Sequence, residues 1–482
     1  MDEKLKELLK KTESWIDAHR AEFISELQAF TRIPSVSRAD LAEDGAPFGP
    51  DCRKMLDFAL ERGRYYGFET MNHDGYAGSI CYGDPDNAIG IFAHLDVVPV
   101  EDGWLYPPFE ATYLPEHDAI IGRGADDNKC AAVAGLFVMR MLREFGWPLK
   151  HGIRLICGTS EETGMQDMTA LKEKGFSFPK LSLVPDSGFP VNCGQKGMVD
   201  AELTIPCEGN LLCFDAGTAR NAVPNHAECV VAIDKTAADA TLAKLPPAYT
   251  QPLTVSACAD GTRICAKGVS AHASAPQNGQ SAIHLLSRAL VESGLLIGSC
   301  ENAMRRVCEL SGDFTGKNEG VAYRDELSGD LTLVYGVAHL SDGRLTLTAD
   351  SRTPVTCDAD QLIANMQQAW QSRGFTVSSS HVSKPYYIPK DDPYVVALQD
   401  LFHAITGRDN EPFVMGGGNY ARVVPNAISF GPGMETEKKI SDFLPEGRGG
   451  CHGLDEAIVM EKVHNCAKIY VPAVAMLDQM LD

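Results

Sequence analysis

The sequence predicts an α/β protein in which a mostly parallel central sheet is interrupted by an inserted α+β domain. Three observations predict it. As far as Asp186, short apolar runs alternate with helical patterns, as when strands and helices are laid down in turn. Those runs repeatedly lead into a histidine or an acid, as at His94, Asp127, Glu161 and Asp186. From residue 197 to residue 386 the pattern changes to several strand candidates with few helices among them.

The run Ala88 to Phe92 is short and apolar and reads as a buried strand. It leads into His94-Leu95-Asp96, and residues two apart on an extended backbone share a face, so both polar side chains can enter one cleft. A metal-bound histidine commonly donates its other ring N–H to a carboxylate, which fixes its tautomer. The alternative is a surface histidine near an exposed aspartate. Ala119 to Ile121 is the next strand, and the glycine-rich turn after it sets Asp126 beside Asp127, ahead of a helix from Cys130 to Arg143. Ile153 to Gly158 then ends in Thr159-Ser160-Glu161-Glu162, and Leu181 to Val184 ends in Pro185-Asp186. Ligands of open α/β sheets bind beyond the carboxyl ends of the parallel strands, which is where these residues fall. Solvated acids usually mix with lysines, and only Lys129 intrudes here. Carboxylates crowded into one site resist ionisation. A divalent cation removes that conflict, and oxygen plus imidazole donors suit zinc or manganese.

Composition narrows the class. At 482 residues there is room for two or three domains, and 44% hydrophobic content is that of an ordinary globular chain. The charged start Met1-Asp2-Glu3-Lys4-Leu5-Lys6 lacks a signal peptide's apolar core. No apolar run approaches the roughly 20 residues of a membrane helix, so a cytoplasmic protein with no membrane partner is expected. Fifteen cysteines, an odd number without repeated spacing, read as free thiols rather than a disulfide framework. A net charge of −22 argues against nucleic acid as a partner.

Taken in order, His94-Leu95-Asp96, Gly122 to Asp127, Glu161-Glu162, Pro185-Asp186 and Cys451-His452-Gly453-Leu454-Asp455-Glu456 resemble the motifs of a known family. It is the dinuclear zinc peptidase family that includes carboxypeptidase G, succinyl-diaminopimelate desuccinylase, carnosinase and the bacterial dipeptidase PepV. The resemblance starts at Ile33-Pro34-Ser35-Val36-Ser37 and so covers nearly the whole chain. It implies a zinc-peptidase catalytic domain with two divalent ions per chain, Zn2+ by default and Mn2+ or Co2+ as substitutes. One ion would take His94, Asp127 and Asp186; the other would take Asp127, Glu162 and His452, with Asp127 bridging. Asp96 joins the catalytic group as the partner of His94, and Glu161 is the implied general base for the attacking water. Neighbours in an irregular turn can point different ways, which lets Glu162 ligate while Glu161 faces the water. Thr159 and Ser160 are good N-cap types, so a helix-start charge is the other reading of Glu161. The chain departs from its relatives at Asn128, Cys130 and Asn419, none of them a ligand or the base. Cys451 either reaches a metal as thiolate or packs as a small residue beneath the site.

With those ligands assigned, Asp186 and His452 stand 266 positions apart, so a long segment leaves the catalytic sheet and returns to it. Departure is read at Gly194-Gln195-Lys196-Gly197 and return at Ser383-Lys384-Pro385-Tyr386. This gives a discontinuous metal-binding domain, residues 1–196 and 387–482, around an inserted lid, residues 197–386. Lid strands are read at Val199 to Ile205, Glu228 to Ile233, Arg263 to Lys267, Leu331 to His339 and Arg344 to Asp350. Helices are read at Ala237 to Lys244, Ser281 to Ser293 and Ala359 to Ser372. Its size resembles the enlarged PepV lid, which implies a monomer. His272 resembles the family's lid histidine, a donor to the scissile carbonyl oxygen; the other reading is a cap on the helix near Ser281. Asn221 stands where relatives contact substrate, and Arg352 where they bind its C-terminal carboxylate, with Arg123, Arg220 and Arg422 as competitors. Gly417, within Met415 to Arg422, resembles part of their substrate loop.

These resemblances imply a metal-dependent dipeptidase acting on short unblocked peptides. Two other readings stand beside it. One is an N-acyl-amino-acid deacylase or desuccinylase with the same ions and base. The other is a non-catalytic peptide-binding or metal-binding protein on this scaffold, which would be expected to have lost part of the ligand set.

Overall fold

Every residue of the stretch Ala88–His94 is buried, as befits a strand covered on both faces. The computed structural model describes residues 1–482, and this strand lies in the first of two units, residues 1–193, 388–413 and 418–482. That unit begins with helices α1 (Glu3–Thr31) and α2 (Pro50–Tyr65) and strands β1 (Glu69–His73), β2 (Ala77–Tyr82) and β3 (Ala88–His94). It continues with β4 (Thr112–Leu114), β5 (Ala119–Ile121), α3 (Lys129–Glu144), β6 (Gly152–Gly158), α4 (Gln166–Glu173) and β7 (Leu181–Val184). The sheet runs β1-β2-β6-β3-β7, then Ala427–Phe430, then Val191–Gln195.

The expected mostly parallel sheet is mixed. Parallel pairing is confined to β6, β3, β7 and Ala427–Phe430, while β1–β2, β2–β6 and the pair of Ala427–Phe430 with Val191–Gln195 are antiparallel. Connection length decides this. The turn between β1 and β2 has Asp74 and Gly75 at positive φ and reverses the chain at once, whereas parallel neighbours need a crossover such as α3. The parallel centre puts the ends of β3, β6 and β7 at one edge.

Helix α3 is buried continuously from Lys129 to Leu142, the mark of a helix covered all round. One side lies on β3 and β6, and α1 and the long helix Met460–Met480 cover the other. An added methyl on Gly135 would meet Leu155 at 2.9 Å, so the helix approaches the sheet closely only because that residue is glycine. Phe23 of α1 stacks on Phe137 with centroids 4.0 Å apart.

The second unit, residues 194–387 and 414–417, is built on an eight-stranded antiparallel sheet. Gly197–Pro206 alternates strictly, burying Val199, Ala201, Leu203 and Ile205, and helices Ala282–Ser293, Ser299–Ser311 and Ala359–Ser372 add Leu286, Met304 and Trp370 to the same core. Strands Leu211–Ala216, Leu253–Cys258 and Thr376–Ser383 and helix Ser299–Ser311 lie where no element was read in the sequence. Thr376–Ser383 is serine-rich and at the sheet edge, so backbone pairing rather than an apolar pattern makes it a strand. No helix is long and apolar enough to cross a membrane.

Candidate metal centre

His94 is the last residue of β3, and its ring is buried. Nδ1 lies 2.9 Å from the main-chain oxygen of Asp96; a carbonyl only accepts, so Nδ1 carries the proton and Nε2 faces the acids. Nε2 is 3.0 Å from Asp127 Oδ1 and 4.0 Å from Asp186 Oδ1. The Asp96 carboxylate stands beside the same ring, with Oδ1 3.5 Å from His94 Nδ1, and has a second task. It accepts the N–H groups of Glu161 and Glu162, each at 3.0 Å, and so clamps the turn after β6. Asp167 holds the same turn one step earlier, accepting from Thr159 N–H at 2.7 Å, Ser160 N–H at 3.0 Å and the Tyr420 hydroxyl. Glu161 therefore sits in a fixed turn ahead of α4 and is not a helix-start residue.

The two adjacent acids before α3 part company. Asp126 pairs with Lys462 and accepts from the Cys451 thiol at 3.3 Å, which directs that sulfur to a carboxylate. Asp127 faces inward, with Oδ2 3.2 Å from His452 Nε2. Asn128 donates to Asp186 Oδ1 at 3.0 Å and to the Pro185 carbonyl at 2.7 Å, so this departure from the family orients a ligand. His452 Nε2 is also 3.0 Å from Glu162 Oε1. Thus His94, Asp127 and Asp186 form one group, and Asp127, Glu162 and His452 a second, with the donor atoms of each within 4.8 Å of one another.

Charge distribution tests whether a cation fits. Burial pushes the Asp186 carboxyl up to about 7, and Asp127 beside it adds to the rise. Burial likewise lifts Glu161 well above the carboxylate range, with Asp186, Glu162 and Asp96 adding to it; its side chain makes no hydrogen bond. Burial works upward on Asp127 too, but hydrogen bonds from His452 and His94 outweigh it and hold that carboxyl well down. His452 is raised to about 10 by its hydrogen bonds to Asp127 and then Glu162. The imidazole protons thus stand where cations would serve better. Three carboxylates and two imidazoles suit a pair of divalent ions sharing Asp127.

Glu456 escaped the sequence reading as a site residue. It is fully buried, accepts from Asp126 and Asp127 N–H at 3.0 and 3.1 Å, and pairs with Arg123 at 2.8 Å. That pair removes Arg123 from the competitors for substrate.

The expected substrate residues lie in the second unit. His272 Nδ1 accepts from Ser274 N–H at 3.2 Å, which puts the proton of the neutral ring on Nε2. It does not cap the helix near Ser281, where Ser281 itself accepts from His284 N–H. Arg352 uses Nε and Nη2 on Asp350, both at 2.8 Å, and Nη1 donates to the Gly416 carbonyl at 3.4 Å, so the side-on fork is occupied and Nη1 and Nη2 each keep one N–H for a carboxylate. Asn221 is exposed and its carbonyl accepts from Ala273 N–H. Within the triple glycine, a methyl on Gly416 would meet Ser274 at 2.7 Å, whereas Gly417 has room.

Residues 90–475 match the profile of Peptidase family M20/M25/M40. A protein of Bacillus subtilis (strain 168) named "Putative dipeptidase YtjP" is 31% identical over 471 residues, covering 94% of this chain and 97% of its own. Among solved structures, human carnosine dipeptidase 1 superposes with a TM-score of 0.58 at 15% identity, covering 98% of this chain and 100% of its own. The di-peptidase Dug1p of Saccharomyces cerevisiae gives 0.58 at 13% identity, with 99% of each chain covered.

Proposed function

Because the chain belongs to peptidase family M20/M25/M40, and so is a metallopeptidase, we propose that it is a dipeptidase of short unblocked peptides with Glu161 as general base. One observation carries the reading: two ligand groups share Asp127, and Glu161 stands in the adjoining turn with a buried carboxylate bonded to nothing. Two divalent ions, zinc by default with manganese or cobalt as substitutes, supply carbonyl polarisation and acidify the attacking water. Glu161 takes the proton from that water and returns it to the leaving amine. Asp96 and Asp167 hold its turn through four main-chain N–H groups, so the base keeps one position through the reaction.

His272 presents Nε2–H to the scissile carbonyl oxygen, where one donor is worth about 3–4 kcal/mol as charge develops. Arg352 holds the substrate's C-terminal carboxylate through the remaining N–H groups of Nη1 and Nη2, and Asn221 and Gly417 contact the peptide. The protein works as a cytoplasmic monomer in this reading.

The test is hydrolysis of a dipeptide panel and of N-acyl amino acids by metal-depleted protein, with zinc or manganese titrated back and bound metal counted. Dipeptide cleavage rising with two ions per chain is expected. Cleavage of the acyl compounds alone would replace the reading by a deacylase, and full loading without any cleavage by a binding protein. Glu161→Gln is expected to keep both ions and lose about 10²–10⁴-fold in kcat; undiminished turnover removes Glu161 as the base.

A further inference from the structure

We propose that Arg123 and Glu456 are positioning residues for the ion site of Asp127, Glu162 and His452, and make it the weaker and more dependent of the two. The proposal rests on the dinuclear reading above. Asp127 and His452 are 325 positions apart in the chain. Ala457–Val459 pairs with β5 and the Gly122 N–H donates to the Glu456 carbonyl at 2.8 Å, and beyond that pairing a run of side-chain contacts reaches from Asp127 to His452. Glu456 Oε1 accepts the Asp126 and Asp127 N–H groups, Oε2 takes Arg123 Nη1 at 2.8 Å, and Arg123 Nη2 donates to the His452 carbonyl at 3.3 Å. The Trp104 ring covers the guanidinium at 5.2 Å, and both charged side chains are buried.

The other site is built differently. His94 ends β3 and Asp186 directly follows β7 and Pro185, and those strands pair in the sheet; His94 is oriented by the Asp96 carbonyl and Asp186 by Asn128. Its geometry comes from the sheet. His452 instead stands in a loop at φ 62°, with 54% of its side chain exposed against 1% for His94. It stands before the strand Ala457–Val459 and outside that strand's pairing with β5, and the side-chain contacts that link its backbone to that of Asp127 run through Arg123 and Glu456. Partners behind a metal ligand typically govern about 10–100-fold in affinity.

Zinc titration of the full-length, metal-depleted chain should resolve two affinities. Glu456→Gln is expected to weaken the lower by about 10–100-fold and leave the higher unchanged. Arg123→Lys keeps the charge but loses the fork that spans Glu456 and His452, and should weaken the same site. Asp478→Asn is the structural control: it alters a buried carboxylate that accepts from Lys150 and His151 N–H, and should lower thermal stability with both affinities kept. Equal affinities in the unmodified chain, or equal weakening of both sites in the variants, overturn the proposal. An unmodified chain that binds fewer than two ions overturns the dinuclear reading instead. Should the variants not fold, hydrogen exchange on the unmodified chain decides. Amides of residues 122–128 and 449–456 slow together as the second ion loads if the pair couples them; slowing of one segment alone refutes the coupling.

Discussion

The two units bury charge in opposite ways. In the second unit, buried charge is matched locally: Asp350 and Arg352 close a two-bond pair within one strand, and the surrounding core is an apolar sheet covered by helices. In the first unit, Asp127, Glu162 and Asp186 converge at strand ends with Glu161 beside them, and His94 and His452 answer them directly, with one amide hydrogen bond from Asn128 to Asp186. Main-chain N–H groups satisfy the supporting acids Asp96, Asp167 and Glu456, but nothing in the chain fully satisfies the central cluster. A pair matched within one strand, such as Asp350 and Arg352, can be buried without a bound ion. A unit that leaves like charges together folds around what it will bind.

Metal removal should separate the units most sharply. An ion held at about 1,000 times its dissociation constant stabilises the folded state by about 4 kcal/mol. Chelation is therefore expected to abolish hydrolysis and to lower protection against hydrogen exchange across β3, β6 and β7. Protection in the strands Gly197–Pro206 and Arg344–Thr353 should stay as it was. Equal loss in both units would show that the cluster's charge is not a local problem, and the contrast would fall.

Glu319 is one point at which the second unit departs from its own rule; Asp200, whose Oδ1 is also buried without a partner, is another. Glu319 Oε1 accepts from the Tyr335 hydroxyl at 2.8 Å, itself an acceptor from Trp370 Nε1 at 2.9 Å, but Oε2 is buried with no partner. Burial raises this carboxyl to about 7 from an ordinary 4.5; Asp313 nearby adds to the rise, and Tyr335 and Arg373 oppose it. The folded state thus holds a proton that the unfolded chain has released, so stability falls as pH climbs from about 4.5 through about 7. The loss is on the order of 3 kcal/mol. Glu319→Gln should flatten that part of the curve and be the more stable protein at pH values above 7, as read by urea unfolding across pH. Parallel curves for the two proteins would mean that Glu319 is as well matched as Asp350.

How far the site could be read in advance depends on what each residue bonds to. His94, Asp127, Glu162 and Asp186 announce themselves because acids and histidine at strand ends are visible in the order of residues, and the structure does bring them together with His452. Asp96 was only half legible. Two-residue spacing puts both its main-chain oxygen, at 2.9 Å, and its carboxylate, at 3.5 Å, beside the His94 ring, but says nothing of the bonds that the same carboxylate accepts from the Glu161–Glu162 turn. Glu456 closes the Cys451 to Glu456 motif, but its role is not legible there, since an acceptor of backbone N–H groups has no partner in the sequence to be matched with. The pairing of Asp350 with Arg352 follows from the same i, i+2 rule that was applied to His94 and Asp96, and it went unread there. In the fold, the Asp74-Gly75 turn signals an antiparallel hairpin in plain residues, whereas Thr376–Ser383 has no apolar pattern to show and becomes a strand through its neighbour.

Gly158 gives the smallest and most local way to test the first unit's design. It ends β6, and an added methyl would fall inside the Tyr420 hydroxyl and the Asp167 carboxylate, which themselves bond each other. Gly158→Ala must push Asp167 aside, and Asp167 holds Thr159 and Ser160, the residues just before the base. Overpacking of this kind costs about 1–3 kcal/mol. A base displaced by about 1 Å can cost on the order of 10²-fold in rate. The expected result is a modest drop in the urea midpoint together with a larger fall in kcat at full metal occupancy. Gly450→Ala, where a methyl meets nothing, should change stability by less than about 0.5 kcal/mol. If Gly158→Ala lost stability but kept its kcat, the Glu161 turn would not owe its position to Asp167. The buried acids of the first unit would then be doing no more than those of the second.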